Sequence, residues 1–594
     1  MSVKARQGLF PTTQAKACNL YACMLPSTSI VMGIMMSNLL RPKAPFRAAL
    51  LRFVLVALVS LMLVSWTLAT RRERLIESWK PINYDVAIVL NDRLSAITSA
   101  KAEVTIQLLK DNVSLIDLDF GQLSVDSVTV DAQDARFEHA NGRLNVTIPT
   151  PKPRDARLVV TVTYHGAPKD GLILSSDKSG NPSAVGDNWP DRVHHWIPTL
   201  DHPSAKATIR FTVTAPERNL VVANGAFDKV ETTAGGTRTW SYTERAPIPP
   251  YCMIIAVGQF ALIKPDGPTV TPLSYYVPQS DKDVALHGFS PANPSLKLFS
   301  ETIAPYPYEK LALIVGATRF GGMENSSAIV FGGNLFDSRS NSDPVSKVFN
   351  LRPGTVSLIA HEIAHQWFGD SVTESTWADL WLSEGFATYF AGLFIQRHEG
   401  EEAFRRYMNS QAEVYLNYAK RRRIPLFDTE TESLMGLLNG NSYQKGSWIL
   451  HMLRGRLGDE AFFKGLRAYY RAHEHATAST EDLRAALEQA SGSNLKEFFA
   501  RWVYAAGHPH YEVSWQWQRA KNQRGVLTIN LKQTQPDAPF LDPLQVEIVI
   551  AKGAQKTIIK PVGRETTIRL PVTNRPTKIT IDPDEFVLKE LVLK

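Results

Sequence analysis

The sequence predicts a multidomain α+β chain: an amino-terminal β-domain, a mixed α/β domain in the middle and a small carboxyl-terminal β-sandwich. Three observations predict it. From about residue 82 to 257, short runs alternate apolar and polar residues with turn residues between them. From about residue 286 the apolar period becomes that of helices. After Gly507-His508-Pro509 the helices stop and six short strand-like runs follow. At 594 residues the chain has room for several domains of about 100–200 residues each.

In the first region YDVAIVL (84–90), AEVTIQLL (102–109), RLVVTVTYH (157–165) and ATIRFTVTA (207–215) read as half-buried strands, and Pro249-Pro250 marks the far end. In the second, LALIVG (311–316) and AIVFGG (328–333) precede the helical stretches 356–370, 377–400 and 441–458. Amphipathic helices continue from Asp459 to Tyr504. The expected division is a leading segment 1–75, a β-domain 76–270, a mixed domain 271–507 and a sandwich 508–594.

The net charge of +7 comes from the leading segment, where residues 1–75 carry ten basic side chains and one acid, Glu73. The rest is close to neutral and shows no basic footprint for nucleic acid. Phe53 to Ala69 is uncharged, with arginines on both sides. This is the composition of a signal peptide, with Thr67-Leu68-Ala69 as a small-residue cleavage site, or of a membrane anchor. Either places the body outside the cytoplasmic membrane. Cys18 and Cys23 lie upstream of this run, so removal of the leading segment leaves Cys252 without an internal disulfide partner.

The chemical signal is His361-Glu362-Ile363-Ala364-His365. On a helix, positions i and i+4 lie one turn apart on nearly the same face, so both imidazoles can reach one ion. The preceding VSLIA gives the helix an apolar body. Catalytic zinc sites use three protein ligands and leave one position open. Glu384, nineteen residues after His365 and early in the next helix, is the candidate third ligand. Glu362 is not expected to bind the metal; beside a ligand, it suits the removal of a proton from an activated water. Upstream, Gly321-Gly322-Met323-Glu324-Asn325 follows a strand. Its glycines allow close backbone approach to a ligand and its carboxylate can pair with an ammonium group. Taken alone, such a turn is also common without function.

Together these residues resemble the zinc aminopeptidases of the aminopeptidase N and leukotriene hydrolase type. HEIAH with the glutamate of WLSEGFA, GGMEN upstream, Pro198 to Lys206 as PxxDxPxxK and Tyr443-Gln444-Lys445-Gly446 as YxKG occur in the family's order, from about residue 80 to 590. The resemblance implies a thermolysin-like catalytic domain, one zinc per chain and removal of single residues from peptides with a free amino terminus. It implies that Glu324 holds the substrate's α-amino group, with Gly321, Gly322 and Met323 along the substrate. It also implies that Tyr443 donates to the developing oxyanion; by itself Tyr443 reads as a packing aromatic. Three positions depart from the family pattern. Ser383 stands where many members have Asn. Asp187 and Trp189 stand where many have Gln or Glu, on a wall expected to face the first substrate residue. The large helical domain that many members carry at the carboxyl end is not expected here. The rival readings are a zinc endopeptidase, which has no need of an acid at the amine position, and a non-catalytic membrane receptor or scaffold that kept the fold.

Overall fold

In the computed structural model, residues 71, 73–337, 345–519 and 525–594 are described, and they belong to one compact unit. The apolar run 53–69 lies outside them. Among the described residues no helix is long and apolar enough to cross a membrane.

The alternating runs near the amino end form an eight-stranded sheet. Its centre is the pair Trp79–Leu90 and Ile97–Leu108, antiparallel to each other. Trp79–Leu90 also runs parallel to Ala207–Pro216, with Tyr84, Val86 and Ile88 opposite Ile209, Phe211 and Val213. All six are buried, so a period of two in both strands sends the apolar residues to one face. Smaller sheets of four strands (172–176, 182–186, 220–223, 255–258) and three strands (113–119, 137–140, 143–152) complete this region.

The middle region is built on a five-stranded mixed sheet, in the order Phe260–Ile263, Leu273–Pro278, Leu311–Gly316, Ala328–Gly332, Gly322–Met323. The three middle strands are parallel and the outer two antiparallel to their neighbours. Only two of the five, 311–316 and 328–332, are legible as strands beforehand. The strand 260–263, expected in the β-domain, pairs into this sheet instead. Gly322–Met323 is the strand at one edge.

Eight helices of the described residues matter here: α1 (Ala292–Thr302), α2 (Pro353–His365), α3 (Trp381–Glu399), α4 (Glu401–Ala419), α5 (Gly446–Leu457), α6 (Asp459–His473), α7 (Thr480–Ser491) and α8 (Lys496–Trp502). Pro353 opens α2, where its missing N–H costs nothing. Helix α3 is buried on every side from Trp381 to Ile395, as the central helix of a layer must be. Helices α2, α3 and α5 share one apolar cluster with α1, with the five-stranded sheet and with the carboxyl-terminal strands.

After α8 the chain forms two sheets. One holds 565–572, 525–533, 510–519 and 590–593; the other holds 553–559, 544–550 and 578–581. The first contains a seventh strand, Glu590–Leu593, absent from the six expected. It joins by running parallel to His510–Arg519, far away in sequence.

Candidate active site

Helix α2 presents Val356, Ile359, Ala360 and Ile363 to the core. That fixes the opposite face, where His361 and His365 point into a cleft of about 480 Å3. Glu384 enters from the first turn of α3. The His361 and His365 Nε2 atoms lie 3.0 Å apart. Glu384 Oε2 is 3.3 Å from the first and 3.4 Å from the second. Despite these distances Glu384 Oε2 is buried and has no hydrogen bond. A tetrahedral zinc with bonds of about 2.0–2.1 Å has ligand-to-ligand edges of about 3.3–3.4 Å. Two of the edges match that figure and the third falls slightly below it, so the donor set fits zinc. His365 Nδ1, the other ring nitrogen, is 3.1 Å from the Phe368 carbonyl oxygen and 3.0 Å from the Ser383 hydroxyl. Donation to the carbonyl leaves Nε2 with its lone pair facing the triad. Ser383 thus supports the ring of His365.

Glu362 stands beside the triad, 4% exposed, with its Oε2 unpartnered. Its neighbour is the edge strand: a Cβ placed on Gly322 would lie 2.4 Å from both Cδ and Oε1 of Glu362. The second glycine of GGMEN therefore makes room for this carboxyl group. An oxygen of Glu324, an oxygen of Glu362 and a ring nitrogen of His365 lie within 4.8 Å of one another. Gly321, Gly322, Met323 and Glu324 all line the cleft, as does Tyr443.

The carboxyl groups divide electrostatically. Burial would raise Glu384, but His361 and His365 outweigh it and hold it down at about 2. Burial pushes Glu324 up to about 7, opposed by His365 and reinforced by Glu384. Burial also raises Glu362 well above the usual carboxylate range. One acid is thus kept ionised between two imidazoles, while two others can take up a proton or pair with a cation.

Tyr443 lies on a π-helical turn, Asn441–Lys445, that runs into α5. Its hydroxyl donates to Glu384 Oε1 at 2.6 Å, and its ring stacks 5.9 Å from that of His361. What brings it there is a contact between glycines. A Cβ on Gly385 would meet Gly446 Cα at 2.8 Å, and one on Gly446 would meet Gly385 Cα at 2.9 Å. Helices α3 and α5 therefore touch backbone to backbone, one residue after Glu384 and three after Tyr443.

Asp187 requires a correction. Expected on the wall facing the first substrate residue, it is fully buried and absent from the cleft lining. Thr318 Oγ1, the Arg319 N–H and the Arg192 guanidinium donate to its carboxylate at 3.1, 3.3 and 3.0 Å. It anchors the turn before the edge strand. Trp189 reaches the cleft instead, edge-on to Phe320 and Trp377.

The Peptidase M1 N-terminal domain matches residues 80–252, and the Peptidase family M1 domain matches residues 289–502. The chain belongs to peptidase family M1. Its relatives include glutamyl aminopeptidase of Homo sapiens, 28% identical over 61% of this chain and 39% of the relative. Aminopeptidase M1-D of Oryza sativa is 29% identical over 53% of this chain and 36% of the relative. Tricorn protease-interacting factor F2 of Thermoplasma acidophilum is 28% identical over 67% of this chain and half of the relative. The chain thus spans half or less of the length of these curated relatives.

Within this M1 chain, two residues that carried no role in the sequence reading hold the site together. Gln366, one place beyond the HEIAH motif, donates to the Glu324 carbonyl and to Asp370 Oδ2, both at 2.7 Å. It also accepts from the Ser327 N–H and from Tyr306. The end of α2 is thereby tied to the backbone of Glu324. Lys206, the lysine of the PxxDxPxxK stretch, donates to the carbonyls of Asp370, Ser371 and Ala476 and to Thr373 Oγ1. It holds the connection between α2 and α3, which runs from 366 to 380. The position of Gln366 directly after the motif was the available signal. Lys206 offered only the family match.

Proposed function

We propose that the chain is a zinc metallo-aminopeptidase that hydrolyses the first peptide bond of peptides with a free amino terminus. The observation that carries this reading is the Glu324 carboxylate, buried within 4.8 Å of Glu362 and His365 just after the edge strand of the cleft. A buried acid raised to about 7 gains from a positive partner, and an α-ammonium group supplies one. With the ammonium held there, the first peptide bond falls beside Glu362 and the triad, and bonds further along the chain do not.

We assign His361, His365 and Glu384 as ligands of one zinc ion. When bound, zinc lowers the pKa of water to about 7 and polarises a peptide carbonyl. Glu362 Oε2 accepts the proton of the attacking water and returns it to the leaving amine. Tyr443 Oη, which donates to Glu384 Oε1 without substrate, is within reach to donate to the carbonyl oxygen as negative charge develops there. The free edge of Gly322–Met323 lets the substrate backbone lie as an added strand, with Gly321 leaving space for it.

Among the described residues the cleft lining contains no Lys or Arg; Trp189, Phe320, Met323 and Leu438 supply an apolar wall. This supports an uncharged, apolar first residue, even though several relatives are named glutamyl aminopeptidases. We also propose the division into an amino-terminal β-domain, a thermolysin-like catalytic domain to about residue 507 and a carboxyl-terminal β-sandwich. The first boundary is drawn near residue 259, because 260–263 pairs with 273–278. The leading segment is proposed to export the body, as a cleaved signal or a membrane anchor. Zinc content and turnover of a leucyl chromogenic substrate, measured together on the protein and on His365→Ala, test the proposal. Both should be lost in the variant; full zinc in His365→Ala defeats the ligand assignment.

A further inference from the structure

A second group of two histidines and a glutamate sits well away in the chain from the triad. His508 lies in the turn after α8, His510 opens the strand 510–519, and Glu590 opens the strand 590–593. The two strands are parallel with His510 opposite Glu590, so both side chains leave the sheet on the same side. His508 Nε2 is 2.9 Å from Glu590 Oε1, and His510 Nε2 is 3.3 Å from the same oxygen. The imidazole rings lie 4.6 Å apart, tilted by 37°. One donor atom from each residue falls within 4.8 Å of the other two.

The first of these contacts is a hydrogen bond; the second is not. His510 Nε2 is buried and lacks a hydrogen-bond partner, although a carboxylate oxygen lies 3.3 Å away. The same pattern marks the catalytic cleft, where Glu384 Oε2 sits 3.3 and 3.4 Å from two imidazole nitrogens and is likewise unbonded. The His510–Glu590 contact brings a nitrogen and an oxygen to one point with no hydrogen bond between them, and a cation that displaces the His508 proton would satisfy all three donors. Tyr415 fixes the His508 ring from the side, edge-on at 5.4 Å. The side chains of His510 and Glu590 are 29% and 40% exposed, so the group opens to solvent and an ion can enter and leave.

We propose that His508, His510 and Glu590 form a second divalent-cation site, independent of the catalytic triad. Two imidazoles and a carboxylate suit zinc, nickel or copper and not calcium or magnesium. The site joins the turn after the last helix to the final strand of the chain, so an ion there would staple the end of the sandwich to the end of the helical region. Lys420 and Lys445 are close enough to act on Glu590 and His508. Their positive charge makes this the weaker of the two sites.

The test uses full-length protein stripped with a chelator and titrated with zinc alone, with metal bound per chain measured by mass spectrometry and calorimetry. Two equivalents are expected, the second weaker. His510→Asn and Glu590→Gln should each remove the weaker equivalent while the tight one and peptidase activity remain. His365→Ala should do the reverse and lose the tight one. Copper(II) loaded into His365→Ala should show nitrogen couplings in its electron paramagnetic resonance spectrum, and His510→Asn should reduce them. Thermal unfolding in chelator, unchanged by Glu590→Gln, confirms that the variant is folded. A single equivalent at every zinc concentration overturns the proposal. So do two equivalents that both substitutions leave intact.

Discussion

The Glu362 carboxyl group occupies the space that a side chain on Gly322 would fill, since a Cβ there would come within 2.4 Å of it. The edge strand and the motif helix are therefore fitted to each other at the group proposed to carry the proton. Gly322→Ala should push the carboxyl aside without touching the triad. Zinc content should stay near one per chain while kcat falls by about a hundredfold or more, in the range expected for loss of a positioned acid–base group. Glu362→Gln should match that loss. A Gly322→Ala enzyme with kcat within a few-fold of the parent would mean that the carboxyl group can relocate without cost.

The Gly385–Gly446 contact makes a second, separable prediction. Either glycine replaced by Ala forces α3 and α5 apart, and overpacking of a core contact costs about 1–3 kcal/mol. The same movement separates Tyr443 from Glu384. Both variants should unfold at lower temperature and lose kcat more than they raise KM. If Tm falls with kcat unchanged, the contact serves stability alone and does not place Tyr443.

Lys206 donates to three acceptors in the connection between α2 and α3 and to the Ala476 carbonyl after α6. Lys206→Met keeps the length of the side chain and strips the Ser371 carbonyl of its donor, while the Asp370 and Ala476 carbonyls keep the Thr373 hydroxyl and N–H. At about 1–3 kcal/mol for a buried group left unsatisfied, the variant should be destabilised by about that amount. Denaturant unfolding measures this directly. A loss under about 1 kcal/mol would mean that water replaces the ammonium group.

Much of the site is legible in the sequence because its signals are local. The HEIAH spacing and the apolar VSLIA before it define one helix and one face. The alternating runs 84–90, 157–165 and 207–215 became strands with the expected buried face. What the sequence conceals is set by contacts between distant segments. Gly322–Met323 is a two-residue strand and has no period to detect. Glu590–Leu593 is stabilised by a partner strand at 510–519, and its own pattern is weak. Asp187 was placed by family position, yet its three donors include Thr318 and Arg319, more than a hundred residues away. They draw it into the interior and leave Trp189 to face the cleft. The Gly385–Gly446 contact likewise needs two helices in place before it has meaning.

Trp189, Phe320, Met323 and Leu438 give the cleft an apolar wall, and no Lys or Arg among the described residues lines it. Leucyl and phenylalanyl substrates should therefore exceed glutamyl ones in kcat/KM by about tenfold or more, since an acidic side chain would lose its hydration without a partner. Trp189→Ala should narrow the difference. Equal rates on glutamyl and leucyl substrates would remove the wall as a basis for selection.

Glu324 is proposed to make this chain an exopeptidase by holding the substrate's α-ammonium group. One measurement tests it most directly: cleavage of a short peptide beside the same peptide acetylated at its amino end. Acetylation removes the charge and leaves the buried Glu324 carboxyl facing a group it cannot pair with. The free peptide should be shortened one residue at a time. The acetylated copy should be slower by at least about a hundredfold in kcat/KM, a cost of a few kcal/mol. Equal cleavage of both peptides, or internal cuts in a longer one, would rule out this role for Glu324 and point to an endopeptidase.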